Sequence, residues 1–173
     1  MNSPAYSIHP VYCRNVLVRN LSIFAPPESR YTLGVVPDSA DGVCIEDSNI
    51  NVGFDAISLK SGWDEYGISY GRPTTNVHIR RVGLRSSLGS SLAIGSEMSG
   101  GASDVLFEHI YISNSNHGLD LDFRTARGRG GYIKNIIVSD IQMENVRVWL
   151  LTPLANGTPP TRTINLIRRP FHS

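Results

Sequence analysis

The segment Asn76-Val77-His78-Ile79-Arg80-Arg81-Val82-Gly83-Leu84 has the same pattern as four other segments of the chain, which begin at Asn15, Gly42, Asp104 and Asn135. Each of the five segments begins with Asn, Asp or Gly and has apolar residues at its second and fourth positions, and four of them also have one at the seventh. Successive starts are 27, 34, 28 and 31 residues apart. A period of roughly 20–50 residues indicates an architecture of stacked repeats.

Between these segments lie shorter runs that alternate apolar and polar residues: 56–60, 91–95 and 118–122. Such alternation is typical of a strand with one buried face. Each repeat therefore reads as two or three short strands joined by turns rich in Gly and Asn. The predicted fold class is all-β, a right-handed parallel β-helix of about five to six rungs, with rungs stacked about 4.8 Å apart.

Equivalent repeat positions should form inward-pointing ladders, one rung apart. The column that tests this prediction consists of Val18, Ile45, Ile79, Phe107 and Val138. No segment shows convincing helical periodicity with caps. Leucine-rich repeats would have a shorter period and stricter Leu spacing, and a β-sandwich would not repeat its sequence.

Composition excludes several classes of function. With 40 % hydrophobic residues, 18 % charged residues and a formal net charge of +1, the chain has no general attraction to nucleic acid or acidic membranes. No apolar run is long enough to span a membrane, and no secretory signal opens the chain. Cys13 and Cys44 are expected to be buried thiols or one isolated bridge. The five histidines lack ligand spacing, so we expect neither a metal nor a cofactor.

Several motifs resemble the plant polygalacturonases of glycoside hydrolase family 28. The segments that carry the resemblance run in the same order from about residue 7 to 147: His9-Pro10-Val11-Tyr12-Cys13, Pro37-Asp38-Ser39, Val43-Cys44-Ile45-Glu46-Asp47-Ser48, Ser58-Leu59-Lys60-Ser61-Gly62-Trp63-Asp64-Glu65-Tyr66-Gly67, Ala93-Ile94-Gly95-Ser96-Glu97-Met98-Ser99-Gly100-Gly101 and Gly128-Arg129-Gly130-Gly131-Tyr132-Ile133. The resemblance implies a β-helix and the inverting hydrolysis of galacturonan, the polymer of pectin. Inversion needs a carboxylic acid, a carboxylate and a water between them.

This sequence departs from the family at most of the implied catalytic positions. The family's Asn-Thr-Asp motif is Tyr31-Thr32-Leu33 here, and its Gly-Asp-Asp motif is Gly53-Phe54-Asp55. The histidine position falls on Ser90. The Arg-x-Lys triplet that grips the substrate carboxylate is Asp122-Phe123-Arg124, so an acid replaces the clamp arginine.

These substitutions leave Asp55 as the one aligned carboxylate, and it is interpreted either as a surviving catalytic group or as a turn residue that caps the next strand. Arg124 is a candidate for binding substrate carboxylates. Trp63 either stacks on a sugar or packs in the core or at the rim. The motif aspartates Asp38 and Asp64 are interpreted as structural or rim residues.

Three hypotheses of function remain open at this point. The chain is a residual hydrolase, a non-catalytic module that binds pectin or a partner, or a degenerate fragment. We predict a partial polygalacturonase-like β-helix over residues 1–150 and a divergent tail over 151–173. The implied partner is galacturonan and the implied location is secreted, in the cell wall. Because the helix should be cut across its stack, self-association through the open end is also expected.

Overall fold

A computed structural model describes residues 5–121, 131–151 and 166–168. It contains eleven strands and one helix: β1 (Tyr6–Ile8), β2 (Arg14–Arg19), β3 (Ser22–Phe24), β4 (Leu33–Val35), β5 (Asp41–Val52), β6 (Ile57–Leu59), α1 (Asp64–Tyr70), β7 (Thr74–Ser86), β8 (Ser90–Ile94), β9 (Ala102–Leu121), β10 (Ile133–Leu151) and β11 (Leu166–Arg168). The strands pair in parallel throughout the described residues. The fold is therefore the predicted parallel β-helix.

The strands stack in three columns. The first column contains β1, β4, β6, β8 and the last residues of β9 and β10. The second contains β2, the first parts of β5, β7, β9 and β10, and then β11. The third contains β3 and the second parts of β5, β7, β9 and β10. Each repeat thus forms one rung, and the strands of the rungs build three faces of the solenoid.

The register confirms the predicted ladder. In the second column, Val18 pairs with Ile45, Ile45 with Ile79, Ile79 with Phe107, and Phe107 with Val138. Four of these side chains are buried, and Val138 packs against the same core while partly exposed. The apolar residues that define the sequence repeat are thus the residues that stack inside the solenoid.

The residue that opens each repeat has a left-handed backbone. The φ angles of Asn15, Gly42, Asn76, Asp104 and Asn135 are 54°, 70°, 55°, 59° and 53°. Glycine adopts this conformation freely, and Asn and Asp tolerate it better than other residues. The recurring Asn, Asp or Gly is therefore the corner at which the chain enters the second column.

These corners also bond to one another along the stack. The Asn76 amide donates to Asp41 Oδ1 at 2.7 Å, and Thr75 Oγ1 donates to the same oxygen at 2.8 Å. The two hydrogen bonds hold the pKa of Asp41 below its usual value. Two rungs farther on, the Asn135 amide donates to Asp104 Oδ1 at 2.8 Å. The turn residues thus connect neighbouring rungs as well as bending each one.

Replacement of Asn76 by alanine is expected to lower the free energy of unfolding by about 1–2 kcal/mol, because alanine is strained at a left-handed φ. Asn76→Gly should lose less, since glycine adopts that φ without strain. Urea denaturation of both variants measures the difference. The control is Asn49→Ala, an exposed asparagine in β5 that lacks a left-handed φ, with an expected change within about 0.5 kcal/mol. Equal losses at the two positions would contradict the explanation.

Two expectations from the sequence need correction. Between β2 and β10 the chain returns to the second column four times, and the solenoid has about four turns rather than five to six. The helix α1 is also present although no helical periodicity was recognised. It has seven residues and ends at Gly71, whose φ is 60°, so it is too short to show an amphipathic period.

Cys13 and Cys44 are free thiols that are partly exposed, so the isolated bridge is excluded and neither thiol is fully buried. None of the described helical residues form a segment long and apolar enough to cross a membrane.

Candidate active-site ladder

Three of the sequence-predicted site residues lie side by side at one edge of the first column, where its strands begin. Val35 pairs with Ile57 and Ile57 with Leu92, so Leu33, Asp55 and Ser90 each stand two residues before equivalent positions. The amide of Gly34 donates to the Asp55 carbonyl, and the amide of Ala56 donates to the Ser90 carbonyl, both at 3.0 Å. Ser90 pairs in turn with His117. We call Leu33, Asp55, Ser90 and His117 the site ladder.

Apolar side chains occupy one side of the site ladder. Leu33 is 6 % exposed, and its side chain can neither donate nor accept a proton. Next to Asp55, the ring of Phe54 packs against the ring of Tyr31 with their centroids 5.8 Å apart and their planes tilted by 48°. Leu33, Phe54 and Tyr31 stand where the family motifs have polar residues. None of these three side chains carries a carboxyl group for acid–base chemistry.

Asp55 is held by backbone at the start of the strand. Its Oδ1 accepts a hydrogen bond from the Ser90 amide at 2.9 Å. A Cβ on Gly89 would lie 2.5 Å from the same oxygen, so only glycine permits this close approach. The carboxylate is thereby fixed in orientation. This geometry suits a turn residue and also an oriented catalytic group.

The structure adds a second carboxylate that the sequence reasoning did not select. The Ser90 hydroxyl donates to Asp120 Oδ2 at 3.2 Å and lies 3.4 Å from Nδ1 of His117. Ser90 is buried, and its amide and hydroxyl bind Asp55 and Asp120 respectively. The alternation of residues 118–122 could have indicated this carboxylate, because Asp120 stands between two leucines that should point inward.

The remaining predicted site residues, Asp122 and Arg124, lie outside the described residues. Within the part of the chain that is described, no group of three or more His, Cys, Asp or Glu side chains could hold a metal ion. The chemistry open to the described site is therefore that of Asp55, Asp120, Ser90 and His117.

An inverting glycosidase keeps its two carboxyl groups about 6.5–9.5 Å apart, with room for a water between them. Here the buried Ser90 lies in hydrogen-bond contact with both carboxylates, through its amide to Asp55 and its hydroxyl to Asp120. The arrangement can accept hydrogen bonds from sugar hydroxyls.

Other shared motifs meet at the opposite edge of the same column, where its strands end. Asp38 bridges in parallel to Val11 and Lys60, and its Oδ1 accepts the Gly62 amide at 3.2 Å. Lys60, which is buried, forms an ion pair with Glu97. These contacts connect successive rungs, so the described geometry agrees with the structural interpretation of Asp38.

Comparisons with known proteins give concordant results. The model of the glycosyl hydrolases family 28 matches residues 1–151. A probable polygalacturonase of Vitis vinifera is 46 % identical over 147 residues, which are 85 % of this chain and 30 % of that protein. The crystal structure of a hyperthermoactive exopolygalacturonase from Thermotoga maritima has a TM-score of 0.72 and 31 % identity, covering 82 % of this chain and 34 % of that one.

A polygalacturonase from Erwinia carotovora ssp. carotovora has a TM-score of 0.73 at 21 % identity, over 93 % of this chain and 41 % of its own. At that identity the match shows the fold alone. The chain thus spans less than half the length of each of these relatives.

Proposed function

Because the chain belongs to the glycosyl hydrolases family 28, we propose that it recognises galacturonan, the polymer of pectin, and hydrolyses it very slowly or not at all. The observation that carries the proposal is the site ladder itself. It keeps the family's position for Asp55, but Leu33 in the ladder and Phe54 beside it stand where the family motifs have carboxyl groups. A single aligned carboxylate cannot act as acid and base on opposite sides of a sugar.

The proposal includes the means of binding. Asp55, Ser90 and Asp120 accept or donate hydrogen bonds at the start of the first column, which suits sugar hydroxyls. Arg124 is the proposed partner of a galacturonate carboxylate, because a guanidinium binds a carboxylate through two parallel hydrogen bonds. Asp122, at the clamp position, repels the same carboxylate and weakens binding. The proposed site of action is the cell wall, where this polymer occurs.

The release of reducing ends from polygalacturonate tests the catalytic part. The unmodified chain should give a rate at least about 10²-fold below that of an intact relative, because loss of a catalytic acid or base costs about 10²–10⁴-fold. Retention on a pectate column tests the binding part. A chain that is neither retained nor active would support the degenerate fragment, and retention without release would support the binding module.

A second candidate function rests on the contact of Ser90 with both carboxylates. Asp120 would replace the missing partner of Asp55, and the chain would be a residual hydrolase. In that case the unmodified chain releases reducing ends, and Asp55→Asn and Asp120→Asn each lower the rate by about 10²–10⁴-fold. The matched control is Asp140→Asn, since Asp140 is an exposed acid in β10 that pairs with His109. A rate unaffected by either site substitution would exclude the Asp55–Asp120 pair.

A further inference from the structure

A cleft lined by aromatic side chains lies at the opposite edge of the first column from the site ladder, where the strands of that column end. It has a volume of about 410 Å³. We call it the aromatic cleft, and its lining residues are Tyr12, Ser39, Ser61, Gly62, Trp63, Tyr66, Gly67 and Tyr70. Ser61 stands six positions after Asp55 along the rung, which at about 3.3 Å per residue is up to roughly 20 Å. The aromatic cleft is therefore separate from the site ladder.

The aromatic rings of the cleft are exposed rather than packed into the core. Tyr66 is 80 % exposed, and Tyr12, Trp63 and Tyr70 are each exposed by about half. Large aromatic side chains usually bury most of their area, and clustered exposed rings mark binding surfaces. Their apolar faces and polar edges suit a pyranose ring, which has C–H faces and a rim of hydroxyls.

The walls of the aromatic cleft are held in place. The rings of Tyr12 and Tyr70 lie 5.1 Å apart at a tilt of 51°. The guanidinium of Arg72 lies 5.4 Å from the centre of the Tyr12 ring and donates a hydrogen bond to the Tyr12 carbonyl at 2.9 Å. Preorganised walls reduce the entropy that binding costs.

Helix α1 places its rings by direct backbone contact with the solenoid. A Cβ on Gly67 would lie 2.7 Å from the carbonyl carbon of Gly62 and 2.8 Å from Cβ of Ser99, so glycine is required for the helix to lie this close. Tyr66 and Tyr70 are four residues apart and therefore share one face of the helix. Trp63 comes directly before the helix begins. The short helix thus presents three aromatic side chains to one cleft.

The floor of the aromatic cleft supplies a hydroxyl that lacks a partner. Ser61 is 1 % exposed, and its Oγ has no hydrogen-bond partner among the described residues. Buried polar side chains are nearly always hydrogen-bonded in folded proteins. A ligand hydroxyl or carbonyl in the cleft would provide the missing bond.

The charges around the aromatic cleft disfavour an anionic ligand. Asp64 and Glu65 stand in the first turn of α1, and Asp38 lies below Gly62. Of the described cations near the cleft, Arg72 is engaged with Tyr12, and Lys60 forms an ion pair with Glu97. A carboxylate entering the cleft would therefore meet like charges, while these two cations already have partners.

We propose that the aromatic cleft binds uncharged pyranose units and, among pectic polymers, methyl-esterified rather than free galacturonate. The choice of polymer rests on the proposed function, whereas the preference for an uncharged sugar rests on the cleft alone. Aromatic walls also accommodate the ester methyl group by apolar contact.

Calorimetric titration of the chain with fully methyl-esterified tetragalacturonate and with free tetragalacturonate tests the proposal, because the two probes differ in charge and in their ester methyl groups. The esterified probe should bind, and Trp63→Ala and Tyr66→Ala should each weaken it at least about tenfold. Trp149→Ala is the matched control and should leave binding unchanged, since Trp149 is an exposed tryptophan in β10. Tyr66 is so exposed that its replacement should not affect folding, even if that of Trp63 does.

The proposal is overturned if the esterified probe does not bind, if neither substitution weakens it, or if Trp63→Ala weakens the free acid as strongly as the ester. Failure of the cleft proposal can be distinguished from failure of the proposed function. Retention on unesterified pectate tests the site ladder and should not change in Tyr66→Ala. Binding of the ester that depends on Trp63, in a chain that pectate does not retain, would support the cleft and contradict the proposed function.

Discussion

Replacement of Phe107 by alanine is expected to lower the free energy of unfolding by about 3–5 kcal/mol, the range for truncating a buried aromatic side chain. Phe107 is 1 % exposed and stands in the second column with Ile79 on one side and Val138 on the other. Its removal would leave a cavity between two rungs. Because the rungs are held in register by continuous strands, they cannot close over it.

Urea or thermal denaturation measures this loss, and the chain offers a matched control. Phe24 in β3 is 52 % exposed, so Phe24→Ala makes the same chemical change at the surface. Its expected effect is within about 0.5 kcal/mol. A similar loss in both variants would mean that the second column is not the centre of the core.

The β-helix was predictable because its physical requirements recur in every rung. The residue that opens each rung must adopt a left-handed φ, and the second and fourth residues of the segment, counted with the opening residue as the first, face the core. Asn76, Val77 and Ile79 meet these requirements in one repeat, and equivalent residues meet them in the others. The pattern of turn and apolar residues is weak in any one segment, and it could be recognised because it recurs in five. Helix α1 occurs once and has seven residues, about two turns, so neither repetition nor length indicated it in the sequence.

The candidate site was only partly predictable, because a strand register fixes which residues are neighbours but not how their side chains meet. Alignment to family motifs brought Leu33, Asp55 and Ser90 together, and the structure places them at or just before the start of adjacent strands. Asp120 was missed because its contact with Ser90 depends on a side-chain direction. The aromatic cleft depends likewise on the close approach of Gly67 to Gly62, for which sequence spacing gives no signal.

Combining Leu33→Asp, Phe54→Asp and Asp122→Arg should raise the rate of polygalacturonate hydrolysis at least about 10²-fold above that of the unmodified chain. The first two substitutions restore carboxyl groups beside Asp55, and the third restores the cation that holds the substrate carboxylate. Phe54→Asp also removes the ring that packs on Tyr31 and so opens the apolar side of the site ladder.

No single substitution of the three should suffice. Acid, base and clamp act as a unit, so each is useful only when the others are present, and their effects on the rate are not additive. Leu33→Asp alone would place a carboxyl at a site that is nearly buried, while Phe54 and Asp122 would still occupy the other two substituted positions. A thermal melt of each variant should accompany the rate, since this substitution carries the largest cost to stability.

Two controls decide what a gain in rate means. Asp55→Asn in the triple variant should abolish the gain, because we propose Asp55 as the remaining member of the catalytic set. Leu17→Asp with Phe24→Asp adds two carboxylates at exposed positions outside the site ladder and should leave the rate unchanged. A folded triple variant without a gain would show that more of the groove has diverged than these three positions. Robust hydrolysis by the unmodified chain that survives Asp55→Asn would place the catalytic groups elsewhere, because neither Leu33 nor Phe54 can transfer a proton.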